Sequence, residues 1–206
     1  MQNERLAQQM AFLVQADRLK TIIRRTPLTD NSRLENSAEH SWHLALAALA
    51  LREYAVADLD LGRVLELVTV HDLVEIDAGD TFAYDPIGHE TKAERERAAA
   101  DRIFGMLPPD QRPRLRGLWE EFEAQETEES RYANALDRLQ ALLQNMESGG
   151  GSWTTHGVTR AQVLRRMTPV QSALPEVWPF VLEVIDRACQ SGAITQEREG
   201  QEGQGG

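Results

Sequence analysis

Only one cysteine, Cys189, occurs in 206 residues, which excludes an intramolecular disulfide and a cysteine-based zinc site. Basic side chains are also few: 22 Lys and Arg stand against 33 Asp and Glu, a net charge of −11. A surface so acidic repels polyanions and argues against a broad nucleic-acid footprint. It leaves room for a small anionic substrate met by a few local arginines or by a metal. No apolar run reaches the roughly 18 residues of a membrane span before a charge interrupts it. The first residues, Met-Gln-Asn-Glu-Arg, lack the basic start and apolar core of a signal peptide. The expectation is a soluble, cytoplasmic protein with no nucleic-acid or membrane partner.

Strand signals are nearly absent as well, while helical periodicity recurs along the chain. A first helix is expected from about Glu4 to Arg24, ending before Pro27 because the residue preceding proline disfavours the helical region. Residues 28–36 read as a polar connection. Asn36, with Glu39 three residues on, forms a capping-box pattern for a helix whose one face carries His40, His43, Leu44, Ala47 and Leu51. Asp60 is the expected cap of a third helix ending near Gly79, and Asp85-Pro86 and Gly88 mark an irregular stretch over 80–90. Further helices are expected over 91–107, after Pro108, over 130–146 up to the stop Gly149-Gly150-Gly151, and after Pro175. The fold class is all-α, a single domain over 1–194, followed by a polar, glycine-rich tail over 195–206 expected to be disordered.

The chemistry concentrates in Thr69-Val70-His71-Asp72-Leu73-Val74-Glu75-Ile76-Asp77-Ala78-Gly79-Asp80. Val64, Leu67 and Val68 set a buried helix face, and continuing it in steps of three or four reaches His71 and Glu75. Charged groups are seldom buried unless paired or bound to metal. Alone, the pair reads more simply as a core histidine with a local salt bridge. Three further segments supply metal-type ligands, however: His40, the acids from Glu75 to Asp80, and Asp137 in an otherwise apolar helix. His43, one turn after His40, is a rival ligand.

The order Glu39-His40, His71-Asp72-x-x-Glu75, Gly79-Asp80 and Asp137 resembles the HD-domain superfamily of metal-dependent phosphohydrolases. Within it, Arg33 to Ser41 followed by His71 to Asp80 is similar to the bacterial 5′-deoxynucleotidase branch and to the eukaryotic HD-domain-containing protein 2 group. The resemblance covers residues 5 to 190. It implies a helical bundle with a metal site between helices, in which His40, His71, Asp72 and Asp137 hold one divalent ion. Two imidazoles and two carboxylates suit Mn, Co, Fe or Zn better than a calcium cage. It further implies Glu75 and Asp80 as catalytic acids, a nucleoside monophosphate as substrate, and a homodimer. Arg25 and Arg33 are the candidates for phosphate contact, since guanidinium forks grip phosphate oxygens; Arg24 is an alternative to Arg25. Thr26-Pro27 stands where the best-known bacterial branch has a bulky aromatic, a departure that counts against strict deoxyribose selectivity.

Overall fold

The computed structural model describes residues 2–56 and 58–196. Helices dominate: α1 (Gln2–Ala16), α2 (Ser37–Ala50), α3 (Leu61–Val70), α4 (Glu75–Ala78), α5 (Pro86–Glu90) and α6 (Lys92–Gly105). They are followed by α7 (Arg112–Ala124), α8 (Glu128–Glu147), α9 (Gly151–His156), α10 (Arg160–Arg166), α11 (Thr168–Ala173) and α12 (Trp178–Gln190). The buried apolar side chains form one connected cluster. At its centre, α8 packs against α2, α3, α7 and α11. Thr127 caps α8 by accepting from the Ser130 amide, and Tyr132, Ala133, Leu136, Leu139 and Leu142 along it are buried. The capping box expected at Asn36 is present, with Asn36 Oδ1 accepting from the Glu39 amide and the Glu39 carboxylate accepting from the Asn36 amide.

Two elements depart from the sequence reading. The first helix ends at Ala16 and continues as a 3-10 turn over Asp17–Thr21. The chain then forms β1 (Ile23–Pro27), paired antiparallel with β2 (Leu34–Asn36), where a helix end and a polar connection were expected. Ile22, Ile23 and Thr26 are β-branched, and Pro27 pushes its predecessor toward extended backbone. The Leu28 amide donates to the Arg33 carbonyl at 2.9 Å, and Asn31 takes the left-handed turn conformation at φ 58°. This hairpin matters because side chains alternate across a strand. Arg24 and Thr26 face inward, while Ile23 and Arg25 are exposed.

The expected third helix is also broken. After α3 the bonds shorten: the Leu73 amide donates to Val70, Glu75 to Asp72 and Ile76 to Leu73, each three residues back. In this tighter winding, residues three apart eclipse, so Asp72 and Glu75 come to the same side. Gly79 then turns the chain with φ 75° and ψ 154°, a conformation that side chains disfavour, and so presents Asp80 to the same region. At the other end, Thr195 bridges to Thr159. Residues 197–206 of the expected disordered tail lie outside the described residues.

Candidate metal centre and active site

Three neighbouring elements bring the sequence-derived donors together. His40 projects from the first turns of α2, His71 and Asp72 from the turn after α3, and Asp137 from α8. Donor atoms of His40, His71 and Asp72 all lie within 4.8 Å of one another. His40 Nε2 is 3.0 Å from Asp137 Oδ1, and His71 Nε2 is 3.0 Å from Asp72 Oδ1. Both imidazoles are held from behind. His71 Nδ1 donates to the Val68 carbonyl at 2.9 Å, and His40 Nδ1 donates to Gln140 Oε1 at 3.1 Å. Each ring therefore turns Nε2 toward the carboxylates, and such outer bonds fix the tautomer of a metal-binding histidine. His71 Nε2 is buried and, beyond the close approach of Asp72 Oδ1, has no hydrogen-bond partner among the described residues. A buried imidazole nitrogen facing carboxylates without an aligned hydrogen bond is what a divalent cation satisfies, so the donor set fits a metal. His43, by contrast, accepts from Gln140 Nε2 and stacks on Trp42, outside the donor group.

At the middle of the acids lies Arg24. Its Nη1 reaches Asp72 Oδ2 at 2.9 Å and Asp80 Oδ1 at 3.9 Å, and its Nη2 reaches Asp137 Oδ1 at 3.9 Å. Its Nε lies 3.6 Å from Glu35 Oε2. Burial weakens the charged state of Asp72, yet His71 and Arg24 outweigh it and hold the carboxyl down to about 2. Burial raises Glu75 and the neighbouring Asp72 charge raises it further, leaving this carboxyl well above its usual range. Ser37 Oγ donates to Glu75 Oε2 at 2.6 Å. Asp80 is also raised, chiefly by burial, against the pull of Arg24. His40 is lowered by burial and by Arg24 but raised more by Asp137 and Glu35, to about 9. A proton there holds the place that a cation would take between imidazole and carboxylate.

The two arginines proposed from sequence sit elsewhere. Arg25 is exposed on the outer side of β1, at a narrow cleft shared with Arg24, Asp80, Phe82 and Trp153. Arg33 grips the Glu39 carboxylate with both terminal nitrogens, at 2.8 and 2.5 Å. His156 is exposed and packs on Phe82, and Asp77 pairs with Arg102. Arg95 of α6 donates to the carbonyls of Ala78 and Gly88 and to Thr81 Oγ1, fixing the loop that carries Asp80.

Sequence reasoning missed Glu35 and Gln140. Glu35 is buried, accepts from the amides of Gln140 and Gln144 at 2.7 and 2.8 Å, and stands 3.5 Å from His40 Nδ1. Burial opposes its ionisation, but His40, Arg24 and Gln144 hold it below its usual range. Gln140 lies three residues after Asp137 on one side of α8, a helical spacing that could have revealed it.

A helical bundle that buries two histidines and several carboxylates around a cation-sized meeting point defines a metal-dependent hydrolytic protein class. The HD domain family model matches residues 16–178, and the chain belongs to that family. A crystal structure described as a predicted metal-dependent phosphohydrolase from Magnetospirillum magnetotacticum MS-1 superimposes with a TM-score of 0.90 at 49% identity, covering 95% of this chain and 98% of that one. Human 5′-deoxynucleotidase HDDC2 is 33% identical over 140 residues, 66% of this chain and 67% of that protein. A 5′-deoxynucleotidase of Erwinia tasmaniensis is 31% identical over 155 residues, 70% of this chain and 77% of that protein. The match to mouse 5′-deoxynucleotidase HDDC2, 35% identical over 113 residues, spans 55% of each.

Proposed function

We propose that the protein is a metal-dependent 5′-nucleotidase that releases phosphate from ribo- or deoxyribonucleoside 5′-monophosphates. The observation that carries this reading is the convergence of the His40 and His71 Nε2 atoms on Asp72 and Asp137, with His71 Nε2 buried against Asp72 and making no aligned hydrogen bond. His40, His71, Asp72 and Asp137 are the residues to hold one divalent ion, Mn, Co, Fe or Zn. Such an ion, when bound, acidifies water and polarises the phosphoryl group.

The rest of the chemistry falls to the chain's own side chains. Arg24 has a guanidinium beside Asp72 and Asp80, placed to neutralise phosphate oxygens. Glu75, with its raised proton affinity and its Ser37 bond, holds a proton taken from water. Asp80, also raised, delivers one to the leaving sugar oxygen. Arg25, at the mouth beside Phe82, is the second substrate contact. Arg33 contributes to phosphate only by leaving Glu39.

A cytoplasmic location and a homodimer belong to the same reading. The dimer is supported by exposed apolar side chains at helical spacing, Leu6, Met10, Leu13 and Val14 on α1 and Trp42, Leu46 and Leu49 on α2. Among the described residues no helix is long and apolar enough to cross a membrane. The testing experiment is phosphate release from ribo- and deoxyribonucleoside monophosphates with Mn, Co, Mg or Zn and after chelation. Metal-dependent release is expected; no release with any metal would overturn the proposal.

A further inference from the structure

The cavity that adjoins the metal centre has a wall unlike the rest of this acidic chain. It encloses about 690 Å³, within the size range of small-molecule sites. Arg131, Arg138, Arg165 and Arg166 line it, and no Asp or Glu does, although acids outnumber bases 33 to 22 overall. Ala83, His89, Gln125, Arg138 and Arg166 also line the cleft that contains His71, Asp72 and Glu75. The two spaces share walls, so a ligand seated at the metal centre extends into the cavity.

The arginines differ in how they are occupied. Arg131 is engaged locally, by Glu128 and the carbonyls of Gln125 and Glu126. Arg138 and Arg166 share one carboxylate oxygen, Asp137 Oδ2, at 3.6 and 3.5 Å, and Arg138 Nη1 also donates to the carbonyl and side-chain oxygens of Asn134 at 2.7 and 2.9 Å. Arg165 is exposed, and its guanidinium makes no ion pair among the described residues. Three guanidiniums against Asp137 and Glu123, whose charge also reaches Arg138, still leave this wall with excess positive charge. Asp137 is also an assigned metal ligand, so a bound cation would neutralise it and leave the wall still more positive. Tyr84, Pro86 and Pro169 add apolar surface suited to a ring.

We infer that, among nucleoside 5′-phosphates, the preferred substrate carries a second phosphate-type anion elsewhere on the nucleoside, bound by Arg138, Arg165 and Arg166 while the scissile phosphomonoester lies at the metal centre. This rests on the nucleotidase reading for the scissile group, but its anion site is tested separately. Mn-loaded Glu75→Gln protein, blocked in turnover, is titrated calorimetrically with adenosine 5′-monophosphate and adenosine 3′,5′-bisphosphate. A ligand with a second phosphate is expected to bind at least about tenfold more tightly than the monophosphate. Adding Arg165→Glu or, separately, Arg166→Ala is expected to reduce the preference to within about twofold. Equal affinity for the two ligands, no binding of either, or a preference indifferent to both substitutions would overturn the inference. A preference that persists while wild-type protein releases no phosphate would defeat the nucleotidase reading and leave the anion site standing.

Discussion

Arg24→Met separates the two tasks assigned to Arg24: compensating buried carboxylates and gripping phosphate. In metal-stripped protein its guanidinium is the cation nearest Asp72, at 2.9 Å, with Asp80 and Asp137 at 3.9 Å. At an effective dielectric constant near 20, a pair 2.9 Å apart attracts by about 6 kcal/mol, offset by the cost of burying both charges. Removing one partner of a buried pair typically costs about 3–5 kcal/mol. For a chain of this length each kcal/mol lowers Tm by about 2–4 °C, so the chelated variant should melt about 6–20 °C below wild type. Divalent metal should restore much of the loss. Its Tm increment should be larger in the variant than in wild type, because no guanidinium competes for the carboxylates. Phosphate release by the metal-loaded variant should nevertheless fall, with KM rising. Scanning fluorimetry in chelator and across an Mn titration reads the first two outcomes. A chelated variant within about 2 °C of wild type, or a metal increment no larger than wild type's, would refute the electrostatic reasoning.

Glu35→Gln replaces a charged acceptor by a half-donor behind His40 and Arg24, and should weaken Mn affinity by about 10- to 100-fold in competition with a chelator; unchanged affinity would remove Glu35 from the site. Tyr132→Phe should cost about 1 kcal/mol at pH 7 through loss of the bond from Tyr132 Oη to the Ala48 carbonyl. Burial pushes the Tyr132 phenol up to about 12, so its neutral form favours the fold. That contribution is complete below the unfolded value near 10 and is lost as pH rises through 12, at a slope approaching 1.4 kcal/mol per unit. The wild-type advantage should therefore shrink and reverse over that interval in guanidinium unfolding curves; parallel pH profiles would contradict it.

His71-Asp72 was legible because ionisable residues in a run of buried positions, Val64, Leu67, Val68 and Val70, need compensation. Asn36 and Glu39 announced their helix by a local pattern, and the structure reproduces it. The choice between Arg24 and Arg25 stayed open in the sequence because the segment around them passes for a helix end. Only the alternation of β1 turns Arg24 inward and Arg25 outward, and pairing with β2 across a six-residue loop leaves a weak local signal. Glu35 likewise looks like any polar strand residue until α8 brings Gln140 and Gln144 to it. The basic wall could not be read at all, since Arg165 and Arg166 follow the same spacing as a solvated helix face and meet Arg138 only through α10 packing beside the metal centre.

Everything proposed for the site depends on His40, His71, Asp72 and Asp137 holding one divalent ion that phosphate release requires. Metal content by mass spectrometry and phosphate release, measured on the same samples of wild type and Asp72→Ala, test it most directly. About one ion per wild-type chain, release that scales with metal content, and loss of both in Asp72→Ala are expected. Undiminished release by metal-stripped wild type, or by Asp72→Ala, would contradict it.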